Sequence, residues 1–363
     1  MRRFIKFFKK TTVRVVSFLL AVLVIVSFFV FKDFYKRQGK KVLSFYHVHQ
    51  GDKFYKKQKR QEAIESYKKA VKYYPEHYRA WHNLANIYVT YEDYYSAVES
   101  YQKALEVKPT LQAARIDYGI VLAEAMFNYD RAIEEYAKAI SLTPKFLYIP
   151  FIINNKVTTK HNTSVAWYNT GLAWRGKSLL AGEKNFAARQ YLQNAVESYK
   201  KSLKIRKTYR AYYNLAIAHH LLRENAHAGL SYCKAIYLEP MNYEAHYNLA
   251  ILLKDMKNYK ASIDEFRKAG LILDVGGNGA NARYIYDILN EATRSLVQDG
   301  EYQYLVEHLG DDSQIKGGQI TYIGGKVVIT QELDRAMVSN FRKCKSEAYF
   351  KNMLENEPQG GVF

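Results

Sequence analysis

Residues 78–111 read YRAWHNLANIYVTYEDYYSAVESYQKALEVKPTL, and this stretch decides the fold. Ala97, Tyr101 and Ala104 follow one another at intervals of four and three residues. These intervals place all three side chains on one face of a helix. A further small residue, Ala85, stands twelve positions upstream of Ala97, in what the sequence predicts as a separate helix. Small side chains at both places allow the two antiparallel helices to approach each other closely.

The same pattern recurs along the chain. Its aromatic residue returns at spacings of 34, 35, 63, 33 and 34 residues, at Tyr67, Tyr101, Tyr136, Tyr199, Tyr232 and Phe266. Three positions after each stands a small residue, namely Ala70, Ala104, Ala139, Ser202, Ala235 and Ala269. Four positions before each stands Ala63, Ala97, Ala132, Ala195, Ala228 or Ser262. Small residues also recur upstream, at Gly51, Ala85, Gly119, Gly171, Ala216 and Ala250. Prolines close four of the second helices, at Pro75, Pro109, Pro144 and Pro240.

This pattern resembles the tetratricopeptide repeat (TPR). Residues 78–111 carry the expected residue at all eight signature positions, which are Trp81, Leu84, Ala85, Tyr88, Ala97, Tyr101, Ala104 and Pro109. We count six repeats, at 44–77, 78–111, 112–146, 164–208, 209–242 and 243–276. The fourth departs from the pattern, because about seventeen extra residues precede it, about twelve interrupt it, and Lys207 replaces the proline. The resemblance implies an all-α solenoid whose concave groove, lined by the first helices, binds peptides or extended segments of partner proteins.

The repeat register names the residues expected to face this groove. They are Arg79, His82 and Asn86 in the second repeat, Arg210, Tyr213 and His220 in the fifth, and Glu244, Tyr247 and Lys254 in the sixth. Asn83, Asn214 and Asn248 precede the signature leucine, where in this family an asparagine often hydrogen-bonds the backbone of a bound peptide. The alternative is that each asparagine serves its own helix pair. The carboxylate clamp that binds chaperone tails is not expected, since Val48, Asp52, Ala113 and Asp117 stand where it needs lysine, asparagine or arginine.

Near the N-terminus, residues 15–31 (VVSFLLAVLVIVSFFVF) carry no charge. As a helix they span roughly 25 Å, near the lower limit for crossing a bilayer. Bulky and charged residues follow instead of the small residues that a signal peptidase needs, so the sequence predicts an uncleaved, single-pass anchor in the lipid bilayer. Its basic leader, residues 1–14, favours a cytoplasmic N-terminus and an extracytoplasmic body. The opposite orientation stays open, because the leader has six Lys and Arg and the juxtamembrane linker, residues 32–43, has five.

Composition narrows the function classes. The chain of 363 residues has 54 Lys and Arg against 35 Asp and Glu, a formal net charge of +19. Residues 1–41 alone account for +10, with eleven Lys and Arg and one Asp. Because the charge gathers beside the apolar segment and no basic aromatic face follows, nucleic acid is not an expected partner.

Catalytic and metal-binding chemistry is not expected either. Two cysteines, Cys233 and Cys344, exclude a disulfide framework and a multi-cysteine zinc module, while leaving the redox compartment open. His219, His220 and His227 lack metal-ligand spacing. The glycines of 276–279 follow a predicted helix without the lysine of a phosphate loop. We therefore expect no cofactor, no metal, no catalytic residue and no enzymatic activity.

Two segments fall outside the repeats. The insertion at 145–164 contains the apolar run Phe146–Ile153, which either covers the seam between the third and fourth repeats or forms a docking patch. The sequence of residues 277–363 predicts helices at 280–298 and 331–354. Between them it predicts two short strands around a turn at 324–325. We expect a small α+β cap on the last repeat, or alternatively a separate interaction module.

These features predict a membrane-anchored scaffold that binds partner proteins through its groove. The alternative is a dedicated regulatory or chaperone subunit of one membrane complex, with the insertion and the cap as its fixed interface. The sequence leaves the partners and the oligomeric state open.

Overall fold

The computed structural model of the chain describes residues 2–142, 153–182, 185–275, 281, 284, 288, 321–323, 326–328 and 339–356. The chain divides into two compact units, Met1–Val121 and Leu122–Phe363, and the boundary falls inside one helix.

The first unit holds five helices and most of a sixth. They are α1 (Arg2–Val30), α2 (Lys32–Lys56), α3 (Arg60–Tyr73), α4 (Tyr78–Thr90), α5 (Tyr94–Val107) and α6 (Gln112–Glu124). Residues 32–43, assigned above to a juxtamembrane linker, belong to α2, which also provides the first helix of the first repeat.

The second unit continues the alternation of first and second helices. Its elements are α7 (Tyr129–Ser141), α8 (Ile153–Ala181), α9 (Phe186–Ile205), α10 (Tyr209–Leu221), α11 (Asn225–Leu238), α12 (Tyr243–Asp255), α13 (Tyr259–Val275), β1 (Thr321–Ile323), β2 (Lys326–Val328) and α14 (Glu347–Asn356). Strands β1 and β2 pair antiparallel, with Tyr322 opposite Val327. Six helix pairs, from α2/α3 to α12/α13, confirm the predicted all-α repeat fold.

The predicted seam inside each pair is confirmed. All six recurring aromatic residues are at most 2% exposed, and the small residues three positions after and four positions before them are equally buried. The first helix approaches so closely that a Cβ added at Gly51 would lie 2.6 Å from Tyr67 Cε1. At Gly171 it would lie 2.5 Å from Tyr199 Cε1. Tight packing of aromatic on small residue is therefore what fixes each pair.

Each pair turns through one left-handed residue. Five first helices are followed by a residue other than glycine at positive φ, namely Gln58, Glu92, Phe127, Arg223 or Lys257. The fourth repeat uses Gly182, at φ +81°. Side chains that accept a backbone N–H bond precede three of the second helices, at Asp93, Asn128 and Asn185, and two of the first helices, at Thr208 and Asn242.

Helix α1 contains the apolar run of residues 15–30. Within the described residues, no single helix meets the length and hydropathy needed to cross a bilayer by itself. The segments Val15–Ser27 and Lys32–Lys56 meet those requirements only together, and they are bent by 69°. The first is thus a weak candidate for a membrane span, and the anchor stays a prediction.

The predicted α+β cap on the last repeat is not supported. The C-terminal helix α14 packs instead on α11, the second helix of the fifth repeat. Phe350 of α14 is fully buried there, and a Cβ added at Gly229 would lie 2.3 Å from its ring. Cys344, just before α14, forms a disulfide with Cys233 of α11 across 111 residues of sequence. Sequence analysis missed the docking of α14 on α11, because periodicity reports contacts within the repeats and carries no signal for a distant segment that docks on them.

Other predicted segments lie mostly outside the described residues. Of the apolar run Phe146–Ile153, only the last residue is described, where α8 begins. Most of the predicted helix at 280–298 and the first part of that at 331–354 also lie outside.

Candidate protein-binding surface

Asn83, on α4, ties the second repeat to the first. Its Nδ2 donates to Asp52 Oδ1 of α2 at 3.1 Å, and Tyr67 donates its hydroxyl to the same oxygen at 2.5 Å. Burial and the adjoining Asp52 carboxylate raise the pKa of Tyr67 above its usual value, so this hydroxyl stays a donor. Asp52, which stands where a carboxylate clamp would need a different residue, is thus committed to the packing of the first helices.

The other three predicted groove residues of α4 differ in whether their polar groups are already hydrogen-bonded within the protein. His82 Nε2 donates to Asp117 Oδ2 of α6 at 2.8 Å, which links the second repeat to the third. Asn86 Oδ1 accepts from the hydroxyl of Tyr101 at 2.6 Å, inside its own pair. Arg79 is exposed, with its guanidinium 5.9 Å from the ring centre of Tyr78. Only Arg79 therefore presents its charged group to solvent.

In the second unit, Asn214 of α10 has the same bridging role. Its Nδ2 donates to the hydroxyl of Tyr168 on α8 at 3.1 Å and to the carbonyl of Arg210 at 2.9 Å. Its Oδ1 accepts from Arg175 Nη1, also on α8, at 2.5 Å. Both amide hydrogens are used, and the residue is 7% exposed. Asn214 therefore joins the fourth and fifth repeats and has no donor left for a peptide.

Asn248 of α12 repeats this bridge with a simpler bond. Its Nδ2 donates to the hydroxyl of Tyr213 on α10 at 2.7 Å. Burial, followed by the charge of Glu244, raises the pKa of Tyr213 to about 12. The ring of Tyr213 stacks on Tyr209 at 5.6 Å. Within the described residues, Asn248 Oδ1 has no protein donor, so this oxygen remains an acceptor for a ligand.

The remaining predicted residues lie on the same helices. Tyr247 meets Phe266 edge to face at 5.8 Å, and burial raises the pKa of its hydroxyl. His220 Nε2 lies 3.7 Å from Asp255 Oδ2. Arg210 is exposed, Glu244 is half-buried, and Lys254 lies in the last turn of α12.

The asparagines therefore follow neither interpretation fully. Instead of serving its own helix pair, each one bonds to the first helix of the preceding repeat. Sequence analysis also missed Arg175, whose partner is 39 residues away. Its position on the first helix of the irregular fourth repeat was the available signal. Within each unit, side chains therefore fix neighbouring first helices to one another, and Arg79 in the first unit and Arg210 in the second are exposed.

Family models match most of these helices. A model described as "Tetratricopeptide repeat" matches residues 78–111, and a second with the same description matches 121–146, 209–242 and 243–269. A model described as "TPR repeat" matches 51–90. These segments are tetratricopeptide repeats. TPRs as a class bind proteins or peptides.

The matches to individual proteins are more limited in coverage or in identity. A UDP-N-acetylglucosamine–peptide N-acetylglucosaminyltransferase of Giardia intestinalis is 30% identical over 82 residues, which is 23% of this chain and only 6% of that protein. The structure of pilF from Pseudomonas aeruginosa aligns with a TM-score of 0.51 at 19% identity, covering 69% of this chain and 99% of that one. A MamA crystal structure aligns with a TM-score of 0.43 at 22% identity, over 54% and 92% of the two chains. The pilF likeness shows a shared TPR fold and nothing of the function.

Proposed function

We propose that this protein is a scaffold, anchored in a membrane by α1, that binds partner proteins along the first helices of its TPRs. The observation that carries the proposal is the bonding between successive first helices through Asn83, Asn214 and Asn248. This bonding holds the neighbouring first helices of each unit in one arrangement before a partner arrives, which lowers the entropic cost of binding. The proposal includes no catalytic step.

The groups left over on this surface define what it offers a partner. Arg79 and Arg210 supply exposed guanidinium groups, which bind carboxylates and backbone carbonyls. Asn248 Oδ1 supplies an acceptor for a backbone N–H, and Tyr213 and Tyr247 supply half-buried rings. An extended peptide, which has donors and acceptors along its backbone, is the ligand that suits the groups of each unit.

Charge reversal on the two helix types tests the proposal. We expect Arg79→Glu combined with Arg210→Glu to abolish co-purification of cross-linked partners from cells. Lys69→Glu combined with Lys204→Glu is the matched control, because these lysines are exposed on second helices. Equal partner sets in both variants would contradict binding along the first helices.

The membrane part of the proposal rests on two further observations. The apolar side chains of residues 15–31 are largely exposed along α1, for example Phe18 at 68% and Phe29 at 72%, and a bilayer would cover them. The Cys233–Cys344 disulfide supports an extracytoplasmic body, because disulfides persist in oxidising compartments and are rare in the cytosol.

Protease access to a C-terminal tag tests this orientation. In cells whose outer barrier has been opened, we expect the tag to be cleaved while a cytoplasmic control protein survives. Protection of the tag until the inner membrane is dissolved would place the body in the cytoplasm and contradict the orientation.

A further inference from the structure

The fourth repeat has longer helices than the fifth, and the extra length lies at the turn between the two helices. Ten residues separate Gly171 from the end of α8, against five between Ala216 and the end of α10. At the other side of the turn, α9 begins nine residues before Ala195, whereas α11 begins three residues before Ala228. At 1.5 Å per residue, the fourth pair extends beyond the fifth by about 7 Å. The insertion noted in the sequence therefore builds a helical extension, made of residues 177–181 and 186–191.

A hollow of about 690 Å³ lies beside this extension, over the end of α10. Its apolar wall includes Leu179, Leu192 and Ile217. The volume lies in the range of sites that enclose a ligand's side chains, roughly 300–1,000 Å³. The extension also exposes further apolar side chains, with Leu180 68% and Phe186 87% exposed. A cluster of exposed large apolar residues beside a concave wall marks an interaction surface.

The polar part of the wall is basic. Arg189 of α9 and Arg223, which follows α10, both line the hollow and are exposed. Within the described residues, neither arginine forms an ion pair. His220, also in the wall, lies 3.7 Å from Asp255. Guanidinium groups bind carboxylates through paired hydrogen bonds, so two unpaired arginines beside leucine side chains are complementary to an acidic apolar segment.

We propose that the hollow beside the α8–α9 extension binds a peptide segment of a partner protein that carries carboxylates next to leucine-like side chains. The hollow shares His220 and Asn248 with the first-helix surface, so this inference extends the function proposed above and rests on it. A protein segment suits the site better than a lipid surface, because the wall is concave and a bilayer presents no side chains to fill it.

Binding of two synthetic peptides to the full-length chain in phosphatidylcholine nanodiscs tests the proposal. One peptide alternates leucine pairs with glutamate pairs, and its counterpart has lysine in place of each glutamate. By fluorescence anisotropy, we expect the acidic peptide to bind at least about tenfold more tightly than the basic one. Equal affinity for the two peptides would overturn the proposal.

Variants locate the binding. Arg189→Glu combined with Arg223→Glu, or Leu179→Asp alone, is expected to weaken the acidic peptide by about tenfold or more. All three side chains are exposed, so none of these changes removes core packing. Lys204→Glu, which changes an exposed lysine at the other end of α9, is the matched control and should leave the affinity unchanged.

Three results would overturn the proposal here. The first is a loss of binding in Arg210→Glu with full binding in the hollow variants, which would place the peptide on the first helices. The second is loss of peptide binding when phosphatidylglycerol replaces part of the nanodisc lipid, which would assign the surface to the bilayer. The third is a change in oligomeric state of the hollow variants by sedimentation, which would assign it to a second copy of the chain.

Discussion

The fourth and fifth repeats are neighbours with the same seam, yet their additional surfaces differ. The fifth is covered by the chain itself, since Phe350 of α14 fits against Gly229 and a disulfide joins Cys344 to Cys233. The fourth carries an extension beside a basic hollow. Where the occupant is the chain's own helix, the contact surface is small and apolar. Where we propose a foreign occupant, the surface keeps two arginines, which favour an acidic segment. The comparison indicates that the polarity and charge of a surface match the kind of segment that it binds.

Removal of the Phe350 ring should weaken the docking of α14 on the fifth repeat. Phe350 is fully buried, so we expect Phe350→Ala to reduce the docking stability of α14 by about 3–5 kcal/mol. Hydrogen exchange of the α14 amides measures the change. Tyr349→Ala is the matched control, because its neighbouring ring is 38% exposed and its loss should cost less than about 1 kcal/mol. Equal effects of the two changes would show that Phe350 is not the anchor.

A buried ionic network in the sixth repeat supports the docking of the same C-terminal segment. Glu265 Oε2 accepts from His246 Nδ1 at 2.5 Å and its Oε1 from Lys268 Nζ at 2.5 Å, while Phe341 packs edge to face on His246. Burial alone would raise the pKa of Glu265, but the hydrogen bonds and charges of His246 and Lys268 outweigh it and hold the pKa below its usual value.

Such a depressed pKa gives stability that is present above the unfolded-state pKa, about 4.3 for Glu, and is lost as the pH falls through the folded-state value. We expect Glu265→Gln to lower the free energy of unfolding by about 3 kcal/mol at pH 7, because it leaves the buried Lys268 ammonium without its carboxylate partner. The gap from wild type should narrow as the pH falls below about 4. Urea unfolding across this pH range measures it, with the exposed Glu355→Gln as control. A gap that is constant with pH would contradict the network.

The disulfide should contribute a comparable amount to the docking of the C-terminal segment. It closes a loop of 111 residues, and we expect its loss in Cys344→Ser to lower stability by about 2–4 kcal/mol. Reductant should produce the same loss in wild type and no further loss in the variant. A wild type that is indifferent to reductant would show that the two thiols are not joined in solution, and it would also remove the support for an oxidising compartment.

The sequence predicted the seam and missed the cover for a physical reason. Tyr199 and Gly171 recur with the repeat, so their burial and close approach follow from periodicity. Gly229 and Phe350 occur once and are 121 residues apart, so nothing in the sequence pairs them, although a glycine inside a helix was a hint of close approach.

For the candidate surface, the sequence predicted the helices that carry the asparagines but not their hydrogen-bond partners. Asn83, Asn214 and Asn248 do lie on the first helices, as the register required, but their hydrogen-bond partners belong to the preceding repeats. A single repeat unit cannot show those partners, because only stacking brings them into reach. The hollow depends on how far α8 extends beyond the end of α10. The number of inserted residues did not determine that length.

The smallest expected effect distinguishes the turns of the two repeats. The fourth uses Gly182 at φ +81°, whereas the fifth places Arg223 at φ 63°, where a side chain costs roughly 1–2 kcal/mol. Arg223→Gly relieves this cost but gives the unfolded chain more freedom, worth about 0.5–1 kcal/mol. We therefore expect it to raise stability by no more than about 1 kcal/mol.

Gly182→Ala is the reciprocal change and should lower stability by about 1 kcal/mol, even though a Cβ at Gly182 meets no atom within 4 Å. Thermal unfolding of both variants beside wild type measures the pair. Because the space around Gly182 is open, a loss there can come only from the backbone, and an unchanged midpoint would show that the extension relaxes its turn at no cost. Opposite signs for the two variants would instead show that the fourth repeat needs glycine at its turn, while the fifth, like four other repeats, keeps a side chain there at a cost in backbone energy.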